Sequence, residues 1–188
     1  MRLPVFVVGW QLECCMEPPS VGDQVEWQLI FAETPPDAPE RDGKKTVELD
    51  VVAHPFDDPP VGRSDDRGVD HFDIRLEIAG TDGWLFWSAP RLVAGPARLT
   101  GTITEDHHVD APDTLPPTVG TVGRIEVESQ RYRLGAEAWS PVPGTETYEP
   151  VTTSPKWFGR SSEHEDHTTS HQTGILVGLE LANLAARL

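Results

Sequence analysis

Only two of the 188 residues are cysteine, and they are neighbours, Cys14 and Cys15. Adjacent cysteines rarely bridge, because closing the ring strains the peptide between them, so no disulfide framework is expected. Free thiols of this kind suit a reducing, cytoplasmic compartment. Positive charge is also scarce. Lysine occurs three times, and the 15 basic residues face 31 acidic ones for a formal net charge of −16. A phosphate backbone is repelled by such a surface unless the cations gather on one face, and along the sequence they do not. Nucleic acid is therefore disfavoured as a partner. No stretch approaches the roughly 18 apolar residues of a membrane span. The opening Met1 to Val8 carries one positive charge and too short an apolar run for a secretory leader, so no membrane association is expected. Long helices are a further absence: 18 prolines, 16 glycines and an apolar share of 37% imply many turns around a modest core.

What the chain has in quantity is alternation. Leu3, Val5 and Val7 interleave with Phe6, Val8 and Trp10, which predicts a strand buried on both faces. Gly9 marks a bulge or a close backbone approach. Val25, Trp27, Leu29 and Phe31 repeat at a period of two with polar residues between them, as do Val47, Leu49 and Val51, and then Phe72, Ile74, Leu76 and Ile78. Trp84-Leu85-Phe86-Trp87 reads as an aromatic core strand. Leu92, Val93, Leu99, Gly101 and Ile103 continue the sheet, and Gly120 to Val127 with Tyr132 and Leu134 extends it.

A weak strand is expected near Tyr148 to Thr152. Ile175, Val177, Leu179 and Leu181 predict a final strand, with a helix through Leu179 to Leu188 as the competing reading. Irregular loops fall at about 34–45, 55–69, 106–119 and 159–173 on composition alone. The expectation is one mainly β domain over residues 1–188. Its twisted antiparallel sheet closes into a small barrel of SH3-like or OB-like size, with long polar loops and little helix.

Four stretches could carry chemistry. Cys14 and Cys15 offer metal thiolates or a nucleophile, but in an extended backbone their side chains point apart. The plainer reading has one buried as a small apolar residue and one at the rim. Asp106-His107-His108 at the tip of a strand could hold a divalent metal such as zinc or move protons, or could simply be a solvated loop. His164, His167 and His171 have a spacing that would share one helical face, although the surrounding Ser, Thr and acid favour an exposed loop. Trp10, Trp27, Trp84 or Trp87 either line a ligand pocket at the barrel mouth or belong to the core. No Gly-x-Ser-x-Gly elbow, phosphate-cradling Gly-Lys-Ser/Thr loop or Gly-x-Gly-x-x-Gly turn occurs.

Gly9-Trp10-Gln11, Cys14-Cys15 and Val21-Gly22-Asp23 with Val25 and Trp27 resemble the opening of an uncharacterised, mainly actinobacterial family catalogued as domain of unknown function 6578. Glu105-Asp106-His107-His108, Pro116-Pro117-Thr118 and Gly120-Thr121-Val122 to Ile125 are similar to that family's central motif. The resemblance implies a match over most of the chain and a bacterial cytosolic protein, with no activity to carry over. The functional expectation is a non-enzymatic binding module for a protein partner or small ligand, with Trp10, Trp27 and Asp106 as contacts. Its alternative is a metal-binding protein or metal-dependent hydrolase using His107 and His108 with Cys14 and Cys15.

Overall fold

The alternating segments become strands of one sheet, seen in a computed structural model that describes residues 1–35, 44–57, 61–64, 68, 70–105, 111–135, 138–164 and 168–183. In chain order they are β1 (Arg2–Val8), the short helix α1 (Gly9–Cys14), β2 (Gln24–Trp27), β3 (Leu29–Glu33), β4 (Thr46–Pro55) and β5 (Arg63–Ser64). There follow β6 (Asp70–Ile78), β7 (Trp84–Ala89), β8 (Gly95–Glu105) and β9 (Thr118–Leu134). The last are β10 (Trp139–Pro141), β11 (Thr147–Val151), β12 (Arg160–Glu163) and β13 (Thr168–Glu180).

Five of these close a barrel, in the ring order β8-β3-β7-β6-β4 and back to β8. The meander β4-β6-β7 is antiparallel, β8 pairs antiparallel with both β4 and β3, and β3 meets β7 in a parallel bridge at Ile30 and Phe86. An OB barrel has the same ring: a three-strand meander, a strand antiparallel to its first member, and a last strand parallel to its third. Here that last strand, β3, comes first in the chain. The likeness is one of connectivity and assigns no function.

Inside the ring, Phe31, Leu49, Ile74, Leu76, Ile78, Leu85, Trp87 and Ile103 are almost wholly buried. Trp87 meets Phe31 edge-on with centroids 5.8 Å apart. Each such side chain contributes about 1.5–3 kcal/mol of burial, so the period of two seen in the sequence is the main stabilising signal. Gly101 is small of necessity, because a Cβ there would run into the Ala32 carbonyl and the Phe31 ring.

The barrel continues through β8 into a second layer of β1, β13 and β9. Val5 pairs with Val177, which pairs with Ile125; Val7 with Ile175 and then Val127; Leu3 with Leu179 and then Val122. All of these are buried on the core-facing side. β2 and β3, separated only by Gln28, turn the corner, since β2 pairs with β9 while β3 pairs with β8. Trp27 sits in this core at 7% exposure.

Several expectations change. The sheet is not wholly antiparallel, because β1 also joins β8 in parallel through Val5 and Phe6. β1 ends at Val8, and its second face, Pro4, Phe6 and Val8, is only half-buried. Leu92 and Val93 lie in the connection between β7 and β8, and Leu92 is exposed. Within 159–173, read as irregular, the backbone forms β12 and the first half of β13, paired at Arg160 with His171 and at Glu163 with Thr169. The final strand stands as β13, and Leu184 to Leu188 lie outside the described residues. Among the described residues no helix is long and apolar enough to cross a membrane.

Candidate functional site

β1 and β13 part company at Val8 and Gly174. Two glycines make the parting possible. A Cβ on Gly9 would sit 2.9 Å from the Phe158 ring, and one on Gly174 would collide with the Val7 carbonyl. From Gly9 the chain turns into α1, while β13 carries on beside β12. The register of β13 against β9 slips between Gln172 and Gly174. Such a bulge re-aims a side chain. The extra residue, Thr173, donates through Oγ1 to Glu128 Oε1 at 2.6 Å.

The divergence opens a cleft of about 620 Å³ lined by Phe6, Trp10, Tyr132, Trp139, Phe158 and His171, with the polar residues Glu13, Lys45, Glu128, Gln130, Gln172 and Thr173. Glu128 is 2% exposed. A carboxylate so buried is costly unless its lone pairs are met. Besides Thr173, it accepts from the Tyr148 hydroxyl at 2.9 Å and forms a close ion pair with Lys45. The Lys45 ammonium lies 4.0 Å above the Phe6 ring. Next along β9, buried Glu126 pairs with Lys44 at 3.1 Å and with Arg124.

The aromatic wall is organised by His171. Its ring meets Tyr132 edge-on at 5.2 Å and Trp139 at 6.2 Å. Burial, reinforced by the negative charges of Glu128 and Glu146, pushes the Tyr132 phenol above its ordinary pKa, so it remains a hydroxyl donor through neutral pH. Trp139 and Trp10 are 48% and 50% exposed, respectively. The polar groups are anchored: Phe158 N–H donates to Glu13 Oε1 at 2.9 Å, Gly159 N–H to Gln172 Oε1 at 3.0 Å, and Gln130 to Glu146 at 2.7 Å.

Of the residues singled out from sequence, Trp10 lies in the cleft. Trp27 and Trp87 are core, and Trp84 packs elsewhere, under Arg75 and beside His54. Cys14 and Cys15 are bonded to each other, and both are exposed. This corrects the expectation of unbridged thiols with one buried. α1 ends at Cys14 and the chain turns at Cys15, so the sulfurs do not point apart as in a strand. In this state neither offers a thiolate to a metal, and the argument from free thiols to a reducing compartment lapses.

Asp106, His107 and His108 lie outside the described residues, as does His167. His164 and His171 flank a strand pairing rather than one helical face, and His164 Nε2 is 2.6 Å from Ser170 Oγ. Among the described residues no group of three or more His, Cys, Asp or Glu is placed to hold a metal.

Tyr132, Trp139, Glu128, Lys45 and Phe158 were missed as site residues. One signal was present: Arg124, Glu126, Glu128, Gln130 and Tyr132 place polar groups at alternate positions of β9, with apolar Ile125 and Val127 between the first three. Local pattern does not say which of those polar groups a crossing segment will bury.

The chain belongs to the family of unknown function DUF6578, whose model matches residues 1–181. No curated protein and no solved structure matches it.

Proposed function

We propose that this family member is a binding module that takes a small ligand in the cleft between α1, β9, β10 and β13. The observation that carries the reading is the pair of half-exposed tryptophans, Trp10 and Trp139, lining one cavity with a buried, fully partnered Glu128. Large aromatic rings left in water forgo burial that elsewhere stabilises a fold, and rings that face a shared concavity regain it when a ligand covers them. A volume of about 620 Å³ falls in the range of small-molecule sites, roughly 300–1,000 Å³. The supporting polar network fixes the cleft in advance, which lowers the ordering cost of binding.

The test is a thermal-shift screen of metabolites on the full chain, repeated on a Trp10→Ala/Trp139→Ala variant. A ligand that raises the melting temperature of the parent and not of the variant supports the reading. A ligand that stabilises both equally binds elsewhere and sinks it.

A further inference from the structure

We infer that the ligand of this cleft is a neutral saccharide, an inference that rests on the binding-module reading above. Charge removes the anionic ligands first. Lys45 is the one lysine or arginine among the described residues lining the cleft, and its ammonium is already engaged by Glu128 and by the face of Phe6. With Glu13 and Glu128 in the wall and a formal net charge of −16 on the chain, a phosphate or carboxylate would meet no cation clamp and an unfavourable field.

Cationic ligands fit less well than the aromatic content suggests. Recognition of a quaternary ammonium needs ring faces gathered round the charge. Here Tyr132 and Trp139 both meet the same His171, at interplanar angles of 80° and 62°. Each of the two rings therefore already has the imidazole as a close neighbour within the protein. The ring face that does hold a cation, Phe6, is occupied by the chain's own Lys45. A purely apolar ligand is excluded by the opposite argument. It would cover the Tyr132 hydroxyl and the head groups of Glu13, Gln130 and Gln172, whose bonds to Phe158, Glu146 and Gly159 use only part of their capacity, and take them from water with nothing in exchange.

A pyranose satisfies both halves of the lining. Its C–H faces lie flat on aromatic rings, and its hydroxyl edge donates and accepts in equal measure. Gln172 is held through its Oε1 and Glu13 through one carboxylate oxygen, so each presents the other end of a fixed head group. The Tyr132 phenol supplies a donor. Trp10 and Trp139 are the stacking surfaces, and the open form of the cleft admits a chain rather than a single sealed ring.

The experiment is isothermal titration of the full chain with maltohexaose, cellohexaose, xylohexaose and chitohexaose, with choline, adenosine and inorganic phosphate as competing classes. Trp139→Ala is the diagnostic variant. Tyr132→Phe, which keeps the ring, guards against loss of fold, and circular dichroism checks both. The expected result is binding of at least one oligosaccharide that weakens roughly tenfold or more in Trp139→Ala, the worth of one stacked ring, and less in Tyr132→Phe. Binding of choline, adenosine or phosphate that is lost in Trp139→Ala, with no oligosaccharide bound, overturns the saccharide class while leaving the cleft as a binding site. Oligosaccharide binding unchanged in Trp139→Ala, or no binding by any probe, overturns the inference outright.

Discussion

Glu128 and Glu126 are both buried acids on β9 paired with consecutive lysines, yet they differ in what they stand to lose. Lys45 is 22% exposed and faces a carboxylate at 2%, whereas Lys44 is 48% exposed and shares Glu126 with Arg124. Breaking a buried pair leaves a charge stranded and costs roughly 3–5 kcal/mol, while an exposed partner is worth about 0–1 kcal/mol. Lys45→Met is therefore expected to destabilise the protein by about 3 kcal/mol and Lys44→Met by under about 1 kcal/mol in urea unfolding. Equal losses would show that Glu128 is less isolated than its burial implies. Tyr132 gives a second prediction. A phenol whose pKa is raised by folding contributes stability that is present below the ordinary tyrosine value and lost as pH climbs through the raised one. Glu146→Gln removes one of the charges responsible, so it should lower the Tyr132 pKa in an ultraviolet titration on a Tyr148→Phe background. A rise, or no change, would contradict the assigned cause.

At the scale of elements, the cleft depends on where one strand pairing stops. Gly174 permits the Val7 carbonyl to pass, and the bulge beside it releases Thr173 toward Glu128. Gly174→Ala forces backbone against backbone and is expected to cost roughly 1–3 kcal/mol. Gly159, beside the same cleft, has only Gln172 Oε1 at 3.9 Å in the path of a Cβ, so Gly159→Ala should leave the unfolding midpoint nearly unchanged. Equal effects of the two substitutions would remove the steric account of the bulge. This dependence also explains what the sequence revealed. Strands with one buried face, such as β6, announce themselves through Phe72, Ile74, Leu76 and Ile78, because alternation is a local signal. β12 and the first half of β13 do not: the Thr, Ser and His of β13 are held in backbone pairing with β9, some forty residues away, and β12 is held in turn by β13. The turn from β1 into α1 was hidden for a related reason. Val8, Gly9 and Trp10 continue an apolar run, and it is the Phe158 ring and the Thr173 carbonyl, from distant segments, that leave room for no side chain at Gly9.

For the whole molecule, a closed β barrel was legible from the spacing of short alternating strands, whereas its ring order was not. Closure by β8 onto β4, and the parallel bridge of β3 to β7, are choices among partners that every apolar strand face could satisfy equally. Composition was equally silent on the cleft, since Trp10 and Trp139 count toward the same aromatic content as the core residues Trp27 and Trp87. The bond between Cys14 and Cys15 has its own consequence at this scale. A crosslink stabilises mainly by shrinking the freedom of the unfolded chain, and the shrinkage grows with the loop enclosed. Neighbours enclose almost nothing, so the polymer remains, in terms of its topology, an unbranched line that any denaturant can stretch to full length. Dithiothreitol is expected to add the mass of two hydrogens while moving the melting midpoint by no more than about 3 °C. A larger fall would mean that the eight-membered ring fixes native geometry around α1 instead of restraining the coil.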